Sequence, residues 1–253
     1  MSYINILTLK TGNKYTADYV NKLYNSLSRN TTVDFNFYCY TEDSNGLDSN
    51  INVIPLTLRD DVVKQWYKID FHNMPQFYNQ KCLILDIDTL ITGNIDHILN
   101  KEIERNQLGG YWIWWNNIKS INGGFQMFWG GDTIPFHNKF YDDVNYWQSY
   151  FIEHGMAEPP INGEQNFITH SCEEFSIEII SMEKGEFTKY SDRSLERIKK
   201  LWNLRVNNDS PTIGPFMDDN GNLNSKIKLV HFANADNYIH ENTEKSFVQD
   251  LWI

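Results

Sequence analysis

The stretch from Lys81 to Gly93, KCLILDIDTLITG, carries two carboxylates one residue apart, Asp86 and Asp88, with Ile87 between them. An apolar run from Cys82 to Leu85 leads into the pair and has the length and composition of a buried strand. Such a strand does not accept an unpaired charge. It is therefore expected to end at Asp86 and to deliver both side chains to its carboxyl edge, where open α/β sheets bind ligands. Two hard oxygen donors at that edge suggest a divalent cation. A bare Asp-x-Asp step is more often a turn cap beside a solvated charge, but the strand before this pair and the loop and short helix after it favour a cation site.

The pair needs a sheet to hold it, and the preceding residues supply one. Tyr3 to Leu9 reads as a strand, Lys10 to Lys14 as a loop turning at Gly12, and Thr16 to Arg29 as a helix with Tyr19, Val20, Leu23, Tyr24 and Leu27 on one face. Val33 to Tyr40 alternates as a second strand, and Ile51 to Ile54 is a short third strand after the Asn45-Gly46 turn. Asp60 and Asp61 suit the negative start of a helix over Val62 to Phe71, with Trp66, Ile69 and Phe71 apolar. Strands alternating with helices imply right-handed crossovers and a mostly parallel sheet, so the expected class is α/β and Rossmann-like. Neither GxGxxG nor GxxxxGK[ST] occurs, so phosphates would have to be held some other way.

Beyond Gly93, the pattern predicts a helical turn at Ile95 to Leu99 and aromatic strands at Gly109 to Trp115 and Phe125 to Trp129, around the step Asn122-Gly123-Gly124. A helix over Thr133 to Phe151, a short helix from Gly163 to His170 and a strand at Phe175 to Ile180 follow. The rest is more irregular. Thr212 to Phe216 and Lys226 to Ala233 read as strands around an Asn220-Gly221 turn, and Glu244 to Trp252 reads as a closing helix. At strand period, Tyr111 and Trp115 would share one face and Trp112 and Trp114 the other, so one pair could stack on an acceptor sugar, while at least half of the four are expected in the core.

Composition narrows the function. The 253 residues carry a net charge of -11, which leaves no basic stripe for nucleic acid. With 41% apolar residues and 8 Trp, 14 Tyr and 15 Phe, a large core and some surface aromatics are both available, and no linker divides the chain. A single domain over residues 1–253 is expected. Cys39, Cys82 and Cys172 are odd in number and lie in apolar contexts, which suits reduced thiols in an intracellular compartment. The start of the chain lacks a basic segment followed by a long apolar stretch, and no apolar run approaches a membrane span. A soluble, cytoplasmic protein is expected.

The segments TLKTGNKYTADYVNKLYNSLSRN, WYKIDF, LDIDTLITGNID, NGGFQMFWGG, NGEQNF and KLVHF lie in this order between Thr8 and Phe232. Together they resemble nucleotide-sugar glycosyltransferases of the GT-A fold, especially the glycogenin and galactosyltransferase-like (family 8 type) group with its viral and bacterial relatives. The resemblance implies a single GT-A domain, with a nucleotide-binding half at about residues 1–100 and an acceptor-side half at about 101–253. It implies a nucleoside diphosphate sugar donor, UDP-sugar favoured, and Mn²⁺ or Mg²⁺. Asp86, Asp88 and His231 would be metal ligands, Asp86 also touching the donor ribose. Imidazole tilts the preference toward Mn²⁺. Thr8, Lys10 and Tyr15 would embrace the nucleotide, Lys68 would face donor phosphate or sugar, and Asn122, Gly123 and Gly124 would place backbone beside the sugar, with Gly123 where serine often stands. Glu164 and Gln165 would bind donor or acceptor hydroxyls, with Glu164 a base should the reaction invert. The acceptor, a carbohydrate, lipid or protein, is not specified.

The chain departs from that pattern after His231-Phe232. There the relatives usually show Gly and then Lys-Pro-Trp, whereas Asn234, Ala235, Asp236 and Asn237 stand here. Lys226, Lys228 or Arg205 would have to replace the phosphate-contacting lysine, or the chain would be an inactive sugar- or nucleotide-binding module. A phosphatase of the haloacid dehalogenase type is the other alternative, with Asp86 as nucleophile, Asp88 as acid/base and Asp218-Asp219 as a later acidic motif. Its aspartates normally end the first strand, not one preceded by two or three others.

Overall fold

A computed structural model describes residues 3–117, 119–157, 163–191, 195–207, 214–217, 220, 222–232 and 246–253. The chain opens with β1 (Ile4–Lys10), α1 (Ala17–Asn30), β2 (Phe35–Thr41) and β3 (Asn52–Pro55). A 3-10 helix, Lys64–Asn73, precedes β4 (Lys81–Leu85) and β5 (Thr89–Ile91). Then come α2 (Asp96–Leu99), β6 (Gln107–Trp112), β7 (Ile121–Trp129), α3 (Ile134–Asp142), α4 (Val144–Glu153), α5 (Glu164–Glu174) and β8 (Glu178–Ser181). The last elements are β9 (Phe187–Lys189), α6 (Leu195–Arg205), β10 (Leu229–His231) and α7 (Ser246–Gln249).

Seven strands form one sheet in the order β3-β2-β1-β4-β7-β6-β8, in which β7 alone runs antiparallel to its neighbours. The expected mostly parallel central sheet is present. Its central strands are buried on both faces because side chains alternate into two different cores. Ile4, Ile6, Leu83, Leu85 and Met127 pack on one side with Tyr19, Val20, Leu23 and Leu27 of α1. Leu7, Cys82, Ile84 and Phe128 pack on the other with Trp66 and Phe71 of the 3-10 helix, Phe136 and Phe140 of α3 and Phe167 of α5. Each fully buried side chain of this size stabilises the fold by roughly 1.5–3 kcal/mol. Trp66 lies stacked on Phe140 with centroids 4.9 Å apart, which pins the 3-10 helix to α3. Cys39, Cys82 and Cys172 are all buried and free. No helix among the described residues is long and apolar enough to cross a membrane.

A second, three-stranded sheet, β5-β10-β9, grows from the carboxyl edge of β4. Its register sets the site: β10 pairs antiparallel with β5 so that His231 faces Thr89, and the Phe232 amide donates to the Asp88 carbonyl at 2.9 Å.

Several expectations need correction. The helix expected over Thr133 to Phe151 is two helices, because the Asp143 carboxylate accepts the Tyr146 amide at 3.0 Å and caps a new start. The segment Val62 to Phe71 is 3-10 rather than α from Lys64 onward. The aromatic strand ends at Trp112, so strict alternation stops there, and Tyr111, Trp114 and Trp115 all join one buried cluster with Phe187 and Trp202. Only Trp112 of the four is half-buried. Strand β9 and helix α6 lie where the sequence reads as irregular. Met217 and Leu223 form an isolated antiparallel bridge around the expected turn, while Gly221, Thr212, Ala233 and the Glu244 start of the last helix lie outside the described residues.

Candidate functional site

Strand β4 ends at Leu85, and its neighbours hold the next residue in place: the Asp86 amide donates to the Gly124 carbonyl on β7 at 3.0 Å. A turn closed by the Thr89 amide on the Asp86 carbonyl carries the chain past Asp88 into β5. Both carboxylates thus emerge at the sheet edge, Asp86 half-buried and Asp88 buried. His231 Nε2 lies 3.1 Å from Asp88 Oδ1 and 3.6 Å from Asp86 Oδ2. One donor atom from each of the three residues falls within 4.8 Å of the other two.

Donor atoms held about 2.1 Å from one ion and at right angles to each other are about 3 Å apart, so this spacing suits a divalent cation. The donor set, two carboxylate oxygens and one imidazole nitrogen, also fits, and with three protein ligands among the described residues it leaves room for ligand oxygens. Burial pushes the Asp88 carboxyl up, but the His231 ring and the Tyr15 hydroxyl, which donates to Asp88 Oδ2 at 2.7 Å, outweigh it and hold the group below its ordinary value. The site therefore presents Asp88 ionised, as a ligand must be.

Lys68 closes the site from beneath. Its Nζ lies 3.2 Å from Asp86 Oδ1 and 3.1 Å from Glu164 Oε2, and donates to the Gly123 carbonyl at 3.1 Å. Burial alone would lower this ammonium, yet Asp86 and Glu164 together raise it above its usual range. Glu164 opens α5 and is buried; burial raises its carboxyl, opposed chiefly by Lys68. Its second oxygen accepts from Gln126 Nε2 at 3.3 Å.

The two glycines between these groups have a steric reason. A Cβ on Gly123 would stand 2.5 Å from Glu164 Oε2, and one on Gly124 would stand 2.7 Å from Asp86 Oδ2. A serine at position 123 would press on the Glu164 carboxylate. Asn122 steadies the turn by accepting the Gly124 amide at 2.7 Å, and the Gln165 Cβ would stand 3.2 Å from the same Cβ on Gly123. Gly124→Ala is expected to keep the fold and displace the Asp86 carboxylate, weakening Mn²⁺ binding by about tenfold or more in calorimetric titration. Unchanged affinity would show that the close approach has no consequence for Asp86.

A cleft of about 260 Å³ opens beside the aspartates, lined by Leu9, Thr11, Lys14, Tyr15, Lys64, Gln65 and Lys68 together with Asp86, Ile87 and Asp88. Of the nominated loop residues, Tyr15 faces it. Thr8 and Lys10 are buried within β1, Thr8 beside Cys39 in register and Lys10 donating to the Asp43 carbonyl at 3.3 Å, and neither lines the cleft. Arg205 is committed elsewhere, donating to the Trp114 and Asn116 carbonyls. Asn234 to Asn237 and Asp218-Asp219 lie outside the described residues. Sequence reasoning missed Lys14 and Lys64, although Lys14 adjoins Tyr15 and Lys64 stands four residues before Lys68.

No protein-family model matches the chain, and no curated protein sequence matches it. Solved structures do. A galactosyltransferase, LgtC, solved in complex with donor and acceptor sugar analogues, superposes with a TM-score of 0.56 at 11% identity over 98% of this chain and 96% of that one. Mouse xyloside xylosyltransferase 1 gives 0.55 at 12% identity over 94% and 99%. The glycosyltransferase GlyE of Streptococcus pneumoniae TIGR4 gives 0.56 at 14% identity over 92% of this chain, which spans 55% of that one. The chain has the GT-A fold, as its sequence motifs imply.

Proposed function

We propose that this GT-A chain is a metal-dependent glycosyltransferase that moves a hexose from a nucleoside diphosphate sugar, UDP-sugar favoured, to a separate acceptor. The observation that carries the reading is the convergence of Asp86, Asp88 and His231 at the edge of the cleft. Asp86, Asp88 and His231 would hold Mn²⁺ or Mg²⁺, which, when bound, supplies Lewis-acid stabilisation of the charge left on the departing nucleotide. The whole of residues 1–253 is taken as one glycosyltransferase unit, in which about 1–100 bind the nucleotide and about 101–253 face the acceptor.

The chain's own groups divide the work. Tyr15 orients Asp88 through its hydroxyl, and Leu9 near the end of β1 and Thr11 in the loop after it are offered to the nucleotide. Thr8 and Lys10 are proposed to support that loop from within β1. Asn122, Gly123 and Gly124 are proposed to place backbone beside the donor sugar, the two glycines leaving room for the Glu164 and Asp86 carboxylates. Gln165 is proposed to touch sugar hydroxyls. Glu164 keeps its oxygens on Lys68 and Gln126, so we assign it to positioning Lys68 and the Gly123 turn rather than to proton abstraction.

Nucleoside diphosphates and their sugars, screened by thermal shift with and without Mn²⁺, test the proposal. A cognate donor at a hundredfold excess over its dissociation constant should raise Tm by roughly 5–10 °C, and only with the cation. A donor-independent melting curve, together with hydrolysis of phosphomonoesters, would turn the assignment to the phosphatase reading. Shifts without any sugar release would turn it to a binding module.

A further inference from the structure

Asp86 and Asp88 together match one divalent cation, and Lys68 is matched by Glu164 at 3.1 Å, so these groups and a bound ion leave no net charge to meet a diphosphate. The cleft nevertheless presents two more ammonium groups, in a chain whose net charge is -11. Lys14 comes from the loop between β1 and α1, and Lys64 from the first residue of the 3-10 helix. Both are exposed and line the cleft. Lys64 Nζ reaches toward the loop, standing 2.3 Å from where a Cβ on Gly12 would sit, and Gly12 takes the left-handed φ of 62° that glycine favours. Lys14 Nζ lies 4.6 Å from the centroid of the Tyr15 ring, whose hydroxyl holds Asp88.

We infer that Lys14 and Lys64 form a two-sided clamp for the diphosphate of the donor, each contacting it from one wall of the cleft. The inference rests on the proposed donor class and names the anion-binding residues within it. Lys68 cannot serve in this way without leaving the buried Glu164 carboxylate and the half-buried Asp86 short of their counter-charge. The other cations nominated from sequence stand elsewhere: Lys226 packs beside Gly185, Lys228 beside Gly93, and Arg205 holds the Trp114 and Asn116 carbonyls. Flexible ammonium groups act as point charges, so the clamp would hold a charged phosphate pair of any nucleoside and would itself carry no base specificity.

Binding of UDP, uridine and inorganic pyrophosphate, each with Mg²⁺ or Mn²⁺, is measured by calorimetry on wild type, Lys14→Met, Lys64→Met and the double variant. Each single change should weaken UDP and pyrophosphate binding by about tenfold, and the pair by about a hundredfold, with the salt dependence of binding reduced. Cation affinity alone should move by less than about threefold and Tm by less than about 2 °C, since both side chains are exposed. Lys14→Arg with Lys64→Arg should restore most of the affinity.

Wild-type affinity for UDP in the double variant would overturn the inference while leaving the glycosyltransferase reading intact. Lysine-dependent binding of pyrophosphate without any binding of nucleotide would uphold the clamp and sink that reading. A wild-type protein that binds neither anion in the presence of the cation would overturn both.

Discussion

Asp88→Asn is expected to abolish cation-dependent donor hydrolysis and transfer while leaving the fold intact. The substitution keeps the shape of the side chain, and the Tyr15 hydroxyl can still donate to the amide oxygen. The negative charge is lost, and with it the anionic donor that His231 faces at 3.1 Å. Asp88 is the more buried of the two aspartates and shares its donor set with Asp86 and His231 among the described residues. Loss of one of three ligands should lower Mn²⁺ affinity by more than the roughly 10–100-fold typical of a disturbed supporting residue. Activity at fixed cation should then fall by at least about 100-fold, with far-UV circular dichroism unchanged. His231→Ala should act in the same direction. If Asp88→Asn turned over donor at the wild-type rate, the cluster would not be a metal site and the proposed function would lose its basis.

How much of this was readable in advance depended on range. Asp86 and Asp88 announced themselves because an apolar run cannot absorb two carboxylates, so the strand had to stop where it does. The placement of His231 has no local signal of that kind. It comes from the antiparallel pairing of two three-residue strands, β5 and β10, each too short to show a period. The family-like order of motifs suggested the histidine; the ladder supplies its physical reason. The buried setting of Lys68 has no local signal either, since nothing near it in sequence reveals that Asp86 and Glu164 converge on it from the end of β4 and the start of α5. Asp143 is a good N-cap in the middle of an apparent helix, and Leu195, Ile198 and Trp202 carry the helical spacing of α6. Of the four aromatics from Tyr111 onward, at least half are expected in the core and three are buried; only the assignment of faces fails, because β6 ends at Trp112 and alternation ends with it.

Lys68→Met is expected to be the most destabilising single change in the site. The side chain is of similar length and is apolar, so packing is largely kept, but the buried Glu164 and the half-buried Asp86 lose the cation between them. Removing one partner of a buried ion pair costs about 3–5 kcal/mol, which in a chain of this size lowers Tm by roughly 6–20 °C. The loss should depend on pH. The Glu164 carboxyl already sits above its ordinary value, chiefly through burial, with Lys68 the main force pulling it back. A group whose pKa is raised in the folded state favours folding at low pH, and that contribution fades as pH rises through the folded value. Without Lys68 the folded value climbs further, so the gap in Tm from wild type should be smaller at pH 5 than at pH 8. Glu164→Gln in the same background removes the stranded charge. The double variant should therefore melt above Lys68→Met alone, and a double-mutant cycle should return a coupling of about 1–3 kcal/mol. Equal melting temperatures for Lys68→Met and wild type at pH 8 would mean that the buried triad contributes nothing to the fold, and its place in the site would have to be explained by ligand binding alone.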